Sequence, residues 1–186
     1  MVVYNNFPSV KFSERFSVFQ WLIIGGAKMS FYARVFSMAE DYPSRFAICD
    51  ELLEAEYEFS TFPGKFDEDF DEKDWKYLML EYDPNHEPIR LERNIKGVDP
   101  IFEEERQEFL DVLQELPYSK EQKKAVDIVK NMVQIYALDV DEDITEEGWQ
   151  FLETLLDFLA DATDGYVQID EEGIYGKEGE LLVEME

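Results

Sequence analysis

Cysteine and histidine each occur once in this 186-residue chain, at Cys49 and His86. A single cysteine excludes an intrachain disulfide. One of each excludes a zinc site built from clustered thiolates and imidazoles. A thiol nucleophile with a histidine base would have to join Cys49 to His86, which sits in a DPNHEP turn, and nothing in the spacing brings them together. Cys49 instead lies between Ile48 and Leu52 in a helical pattern and reads as a small buried hydrophobe. The chain has no glycine-rich phosphate loop and no G-x-S-x-G elbow. Its apolar run FSVFQWLIIGGA, residues 16–27, is twelve residues long, short of the roughly 20 that a spanning helix needs.

Positive charge is also scarce. Lys and Arg number 17 against 44 Asp and Glu, for a net charge of −27. The imbalance is uneven: residues 1–28 hold Lys11, Arg15 and Lys28 against Glu14, a net of +2, which leaves −29 on residues 29–186. Such a field repels nucleic-acid phosphates and anionic membrane surfaces and attracts basic proteins and cations. Direct binding to nucleic acid or membrane is therefore not expected. Acidic chains poor in apolar residues stay unfolded, but this one is 45% apolar with 15 Phe, 10 Tyr and 3 Trp, enough to build a core. The length suits one ordinary domain, and the lone cysteine suits a reducing, cytoplasmic setting.

The composition break divides the chain into an extension, residues 1–28, and a single acidic α+β domain, residues 29–186. A signal-peptide reading takes Lys11 and Arg15 as the positive region, 18–24 as the apolar segment and Gly25-Gly26-Ala27 as the cleavage site. Gln20 and Glu14 weigh against it. A loosely docked terminus, or a reading frame extended upstream of a natural start at Met29, fits the break better. No function is assigned to this segment.

Alternating and β-branched or aromatic runs predict strands at 31–38, 75–83, 88–94, 133–140, 166–170 and 180–185. Apolar residues at helical spacing predict helices at 44–57, 100–116, 119–132 and 145–162, with Ser44, Ser119 and Thr145 as caps. The second and third strands read as a hairpin. In the first of them, Trp75, Tyr77 and Met79 alternate with Leu78, Leu80 and Tyr82, which predicts a central strand covered on both faces. The expected fold is α+β, a mainly antiparallel sheet of about six strands with four helices over one face. Its element order suits two βαββ halves joined by the helix pair at 100–132.

Two acidic segments are candidate sites. Asp139, Asp141 and Asp143 have the spacing of oxygen ligands in a calcium loop. However, the sixth and twelfth positions are Ile144 and Gln150 rather than Gly and Glu, and a strand precedes them. A solvated strand-to-helix loop, with acids near a helix N-terminus, accounts for the same residues, so metal binding here would be weak. In FDEDFDEKD, residues 66–74, Phe66 and Phe70 are spaced i, i+4 among Asp67, Asp69 and Asp71. This reads as an acidic loop fastened by aromatics or, more sharply, as a docking segment for a basic partner with apolar pockets. No cofactor is expected. Among 44 carboxylates, spacing picks out no acid–base pair. The expectation is a non-catalytic, inhibitor-type binding protein that engages a basic protein. The alternative is an enzyme whose carboxylate-lined, divalent-cation-assisted site draws on the loops at 67–74 and 139–147. Acidity that serves only solubility is a third reading. Carboxylates gathered on one face would favour the first.

Overall fold

The structure is a computed structural model that describes residues 30–185; the readings made for residues 1–28 lie outside the described residues. The elements run β1 (Ser30–Ser37), α1 (Arg45–Glu54), β2 (Ser60–Phe62), β3 (Tyr77–Glu81), β4 (Ile89–Ile95), α2 (Pro100–Glu115) and α3 (Lys120–Asn131). They continue with β5 (Gln134–Asp141), α4 (Glu146–Ala162), β6 (Tyr166–Ile169), β7 (Gly173–Tyr175) and β8 (Leu181–Glu184). Three helices start where a hydroxyl can accept an orphan amide: Ser44 takes the N–H of Ala47, Ser119 that of Gln122, and Thr145 that of Gly148. Helix α2 instead begins on Pro100, whose missing N–H costs nothing in the first turn.

The strands form one open sheet in the order β2-β3-β4-β5-β1-β6-β7-β8, and every neighbouring pair is antiparallel. Among the described residues, the α+β class and the four helices match the expectation, but the sheet has eight strands rather than about six. Strands β2 and β7 have three residues each, too few for alternation to show in the sequence, and both are held in place by pairing to a neighbour.

The helices do not share one face. Ala33 and Val35 of β1 and Tyr136, Leu138 and Val140 of β5 point to the layer of α1 and α4. Phe36, Ile135 and Ala137, of opposite parity, point to α2 and α3. The two central strands are apolar on both sides, so each face needs a cover. The expected double coverage of β3 is also corrected. Leu78 and Leu80 are buried, but Tyr77 on the other side is 43% exposed, because α2 and α3 do not extend that far over the sheet. Trp75 is buried, yet it precedes the strand.

Each half of the chain runs strand, helix, three strands. In the sheet, however, the leading strands β1 and β5 pair with each other, β4 lies against β5, and β6 lies against β1. The halves are interleaved, and neither could close a core alone.

Candidate functional site

The layer formed by α1 and α4 has the larger net negative charge, because its helices carry Arg45 as their one cation while α2 and α3 carry five. No Lys or Arg occurs in residues 131–176 or in residues 46–64. Helix α4 buries Phe151, Leu152, Leu155, Leu156 and Leu159 and turns Glu146, Asp157 and Asp161 to solvent, with Glu153 half-buried beside them. Glu153, Asp157 and Asp161 follow one another at i, i+4 spacing, where like charges repel. Desolvation, together with the Asp161 and Glu153 carboxylates, pushes the Asp157 carboxyl up to about 6.

Helix α1 buries Ile48, Cys49 and Leu52 and exposes Phe46 and Leu53, at 38% and 51%, around Asp50 and Glu54. The one cation of these two helices, Arg45, is buried. It donates from Nε and Nη2 to the Tyr77 carbonyl at 3.1 and 2.9 Å and from Nη1 to the Asp69 carbonyl at 2.7 Å. The outer surface of this layer is therefore acidic and partly apolar. On the other side of the sheet, α2 carries Glu103, Glu104, Glu105, Glu108, Asp111 and Glu115 against Arg106. Helix α3 carries Lys120, Lys123, Lys124 and Lys130 against Glu121 and Asp127, so the carboxylates there are interleaved with exposed cations.

The predicted docking segment is divided by the fold. Phe66 is fully exposed, whereas Phe70 is buried and packs edge-on to Phe46, with ring centroids 4.8 Å apart. Phe70 thus fastens the loop and is not available as an anchor. Asp67, Asp69 and Asp71 are exposed; Asp67 accepts the Gly64 amide at 2.7 Å, and the backbone of Asp69 is held by Arg45.

The three aspartates of the calcium-like spacing do not converge. Asp139 faces Arg90 at 3.6 Å, while Asp141 accepts the Asp143 amide at 3.3 Å. Among the described residues, no group of three or more His, Cys, Asp or Glu side chains is arranged to hold a metal ion. The loops at 67–74 and 139–147 also lie at opposite ends of β3. The first is tied through Arg45 to Tyr77, and the second meets Tyr82 through Thr145. About 17 Å of strand separates these ends, so the two loops form no common pocket.

Cys49 is fully buried, and that burial pushes its thiol up to about 11, the opposite of an activated nucleophile. His86 stacks on Tyr82 and meets Asp83 Oδ2 through Nδ1 at 3.1 Å, stitching its own turn.

One cluster has no counterpart among the sequence candidates. Arg93 of β4 is fully buried on the α1/α4 face, with the Tyr42 ring 3.6 Å and the Trp75 ring 5.1 Å from its guanidinium carbon. The sequence carries a signal for it: Arg93 has the parity of Ile89, Leu91 and Ile95, which places a cation on an apolar strand face.

No family model, no curated protein and no solved structure matches the chain.

Proposed function

We propose that this protein is a non-catalytic binding protein that engages a basic protein partner through the outer surface of α1 and α4. The observation that carries this reading is the charge arrangement of that layer. Its exposed carboxylates have no exposed cation from either helix among them, and Phe46 and Leu53 stand between them as apolar anchors. Desolvated aromatic and aliphatic anchors supply most of the affinity in protein interfaces, while complementary charge supplies steering and choice of partner. Desolvation chiefly, and after it the like charges of Asp161 and Glu153, raise Asp157; a bound Lys or Arg relieves the second of these.

The test compares three immobilised full-length proteins in affinity chromatography with a salt gradient. The first is wild type. The second carries Glu146→Gln, Glu153→Gln, Asp157→Asn and Asp161→Asn on α4. The third carries Glu104→Gln, Glu108→Gln, Asp111→Asn and Glu115→Gln on α2, an equal loss of charge on the other layer. The expected result is a discrete basic protein retained by wild type and by the α2 variant but lost from the α4 variant. Equal retention on all three, or retention on none, would sink the reading.

A further inference from the structure

The two buried arginines near Trp75 differ sharply. Arg45 directs each of its three nitrogens to a backbone carbonyl. Arg93 is fully buried, and its Nε, Nη1 and Nη2 atoms make no hydrogen bond of normal geometry; the Tyr136 hydroxyl is within looser reach. The Tyr42 and Trp75 rings stabilise its charge through their π faces. They accept none of the N–H groups that radiate in the guanidinium plane.

Two more groups on the same sheet face are unmatched. Tyr136, opposite Arg93 in register, faces the guanidinium closely enough for a stretched hydrogen bond, but its hydroxyl makes none of normal geometry. Gln134, opposite Ile95, donates through Nε2 to the carbonyls of Ala39 and Glu40 at 2.8 and 3.0 Å, but its buried Oε1 accepts nothing. Buried polar groups in folded proteins are nearly always satisfied, so this cluster lacks a component.

A cleft of about 350 Å³ adjoins it, lined by Glu40, Tyr42, Ile95, Lys96, Val133 and Gln134. Tyr42 belongs to both places, since its ring lies on the guanidinium and also forms part of the cleft wall. It sits in the irregular segment between β1 and α1. Its hydroxyl reaches Asp74 only at 3.5 Å, the outer limit of a hydrogen bond. The ring packs against the core, and its backbone is pinned by Gln134 at Ala39 and Glu40 and by Trp75 at the Pro43 carbonyl, so an opening has to come from rotation of the side chain.

We propose that Arg93 anchors a binding site for a small organic monocarboxylate bearing a hydroxyl or amino group, with Tyr42 as its movable cover. The planar fork of a guanidinium matches the two oxygens of a carboxylate. Gln134 Oε1 accepts the ligand's own donor. Ile95 and Val133 give the cleft apolar walls, and Lys96 supplies a local attraction in a strongly negative molecule. Glu40 at the same cleft disfavours a second negative charge and so selects a monocarboxylate over phosphate. This site is separate from the α1/α4 surface, and neither assignment depends on the other.

The experiment is an NMR titration of the full-length protein that follows the arginine Nε–Hε signals. The Arg93 signal is assigned on the wild-type protein by through-bond correlation from its backbone amide and checked by its loss in Arg93→Lys. Glycolate, acetate and inorganic phosphate are added at constant ionic strength against chloride. The expected result is a saturable shift of the Arg93 signal, strongest with glycolate, weaker with acetate and weakest with phosphate. Gln134→Leu should bring glycolate to the level of acetate. Tyr42→Ala should tighten binding several-fold, because the closed cover no longer competes. In Arg93→Met, glycolate should no longer raise Tm. If no anion gives a saturable shift, Arg93 is a structural cation satisfied by rings and buried water, and the proposal falls. If phosphate binds best, the ligand class is wrong. Both of these outcomes are read on wild-type protein, so they stand even if a variant fails to fold.

Discussion

The two helical layers cover opposite faces of one sheet and differ in how their surface charge is composed. The carboxylates of α1 and α4 have no exposed helix cation among them, whereas those of α2 and α3 are mixed with Arg106 and four lysines. Helix α3 has Glu121 in its first turn and Lys130 in its last, the order that the helix dipole favours. Helix α4 begins in the same sense with Glu146 and Glu147. It then carries Asp157 and Asp161 toward its negative end, with no cation in the last turn. Helix α1 likewise ends on Glu51 and Glu54 with no basic residue. Packing holds all three helices regardless, since the inward stripes decide the fold. The carboxylates at the ends of α1 and α4, like Asp111 and Glu115 at the end of α2, therefore oppose local stability.

The comparison can be broken first at the cores. Phe151→Ala in the α4 layer and Phe102→Ala in the α2 layer, both fully buried, should each cost about 3–5 kcal/mol in urea unfolding. If one layer tolerated the change with a small loss, the two would not be equal partners in a single sheet. Smaller effects are expected at the caps. Thr145→Ala on α4 and Ser119→Ala on α3 should each lower stability by about 1 kcal/mol, read as a shift in midpoint with unchanged slope. A similar loss in both would show that the layers differ in outward charge and not in how their helices begin.

The smallest effect sharpens the contrast most. Because the Asp157 carboxyl is raised from 3.8 to about 6, the folded protein holds that proton more tightly than the unfolded chain does. Stability from this group is thus lost as pH rises through about 4 to 6 and stays lost at neutral pH. Asp157→Asn should accordingly raise Tm slightly at pH 7.5, and the gap from wild type should narrow by pH 5. A gap that did not change with pH would show that the carboxylate stripe is fully screened by solvent.

Much of the fold is legible in the chain. Helices α3 and α4 can be read because cap, period and terminator agree on each, α2 from its period between Pro100 and Pro117, and the central strands from their apolar character. Strands β2 and β7 cannot, since three residues carry no period. The placement of α2 and α3 across the sheet from α1 and α4 is likewise hidden. Phe36, Ile135 and Ala137 do announce a second apolar face, but alternation does not say which helix will cover it. Of the candidate sites, spacing alone suggests a set of aspartate ligands that the strand end separates, and it groups Phe66 with Phe70, which the fold divides between solvent and core. The parity of Arg93 in β4 is visible, but parity alone does not tell a buried cation from one that reaches solvent past the strand.

The amino-acid sequence by itself determined the α+β class, the four helices, the surplus of negative charge and the inert setting of Cys49. These follow from composition and short-range periodicity, which act within one or two turns of chain. Only the tertiary structure decided that the halves interleave, that the carboxylates of α1 and α4 share one surface, and that Arg93, Tyr136 and Gln134 meet on one buried face without hydrogen bonds of normal geometry for the guanidinium and Gln134 Oε1. Those outcomes depend on pairing between residues far apart in the chain, such as Ser37 with Gln134 and Ala33 with Ile169. Hydrogen-bond register across a sheet sets such neighbours, and no local pattern encodes them.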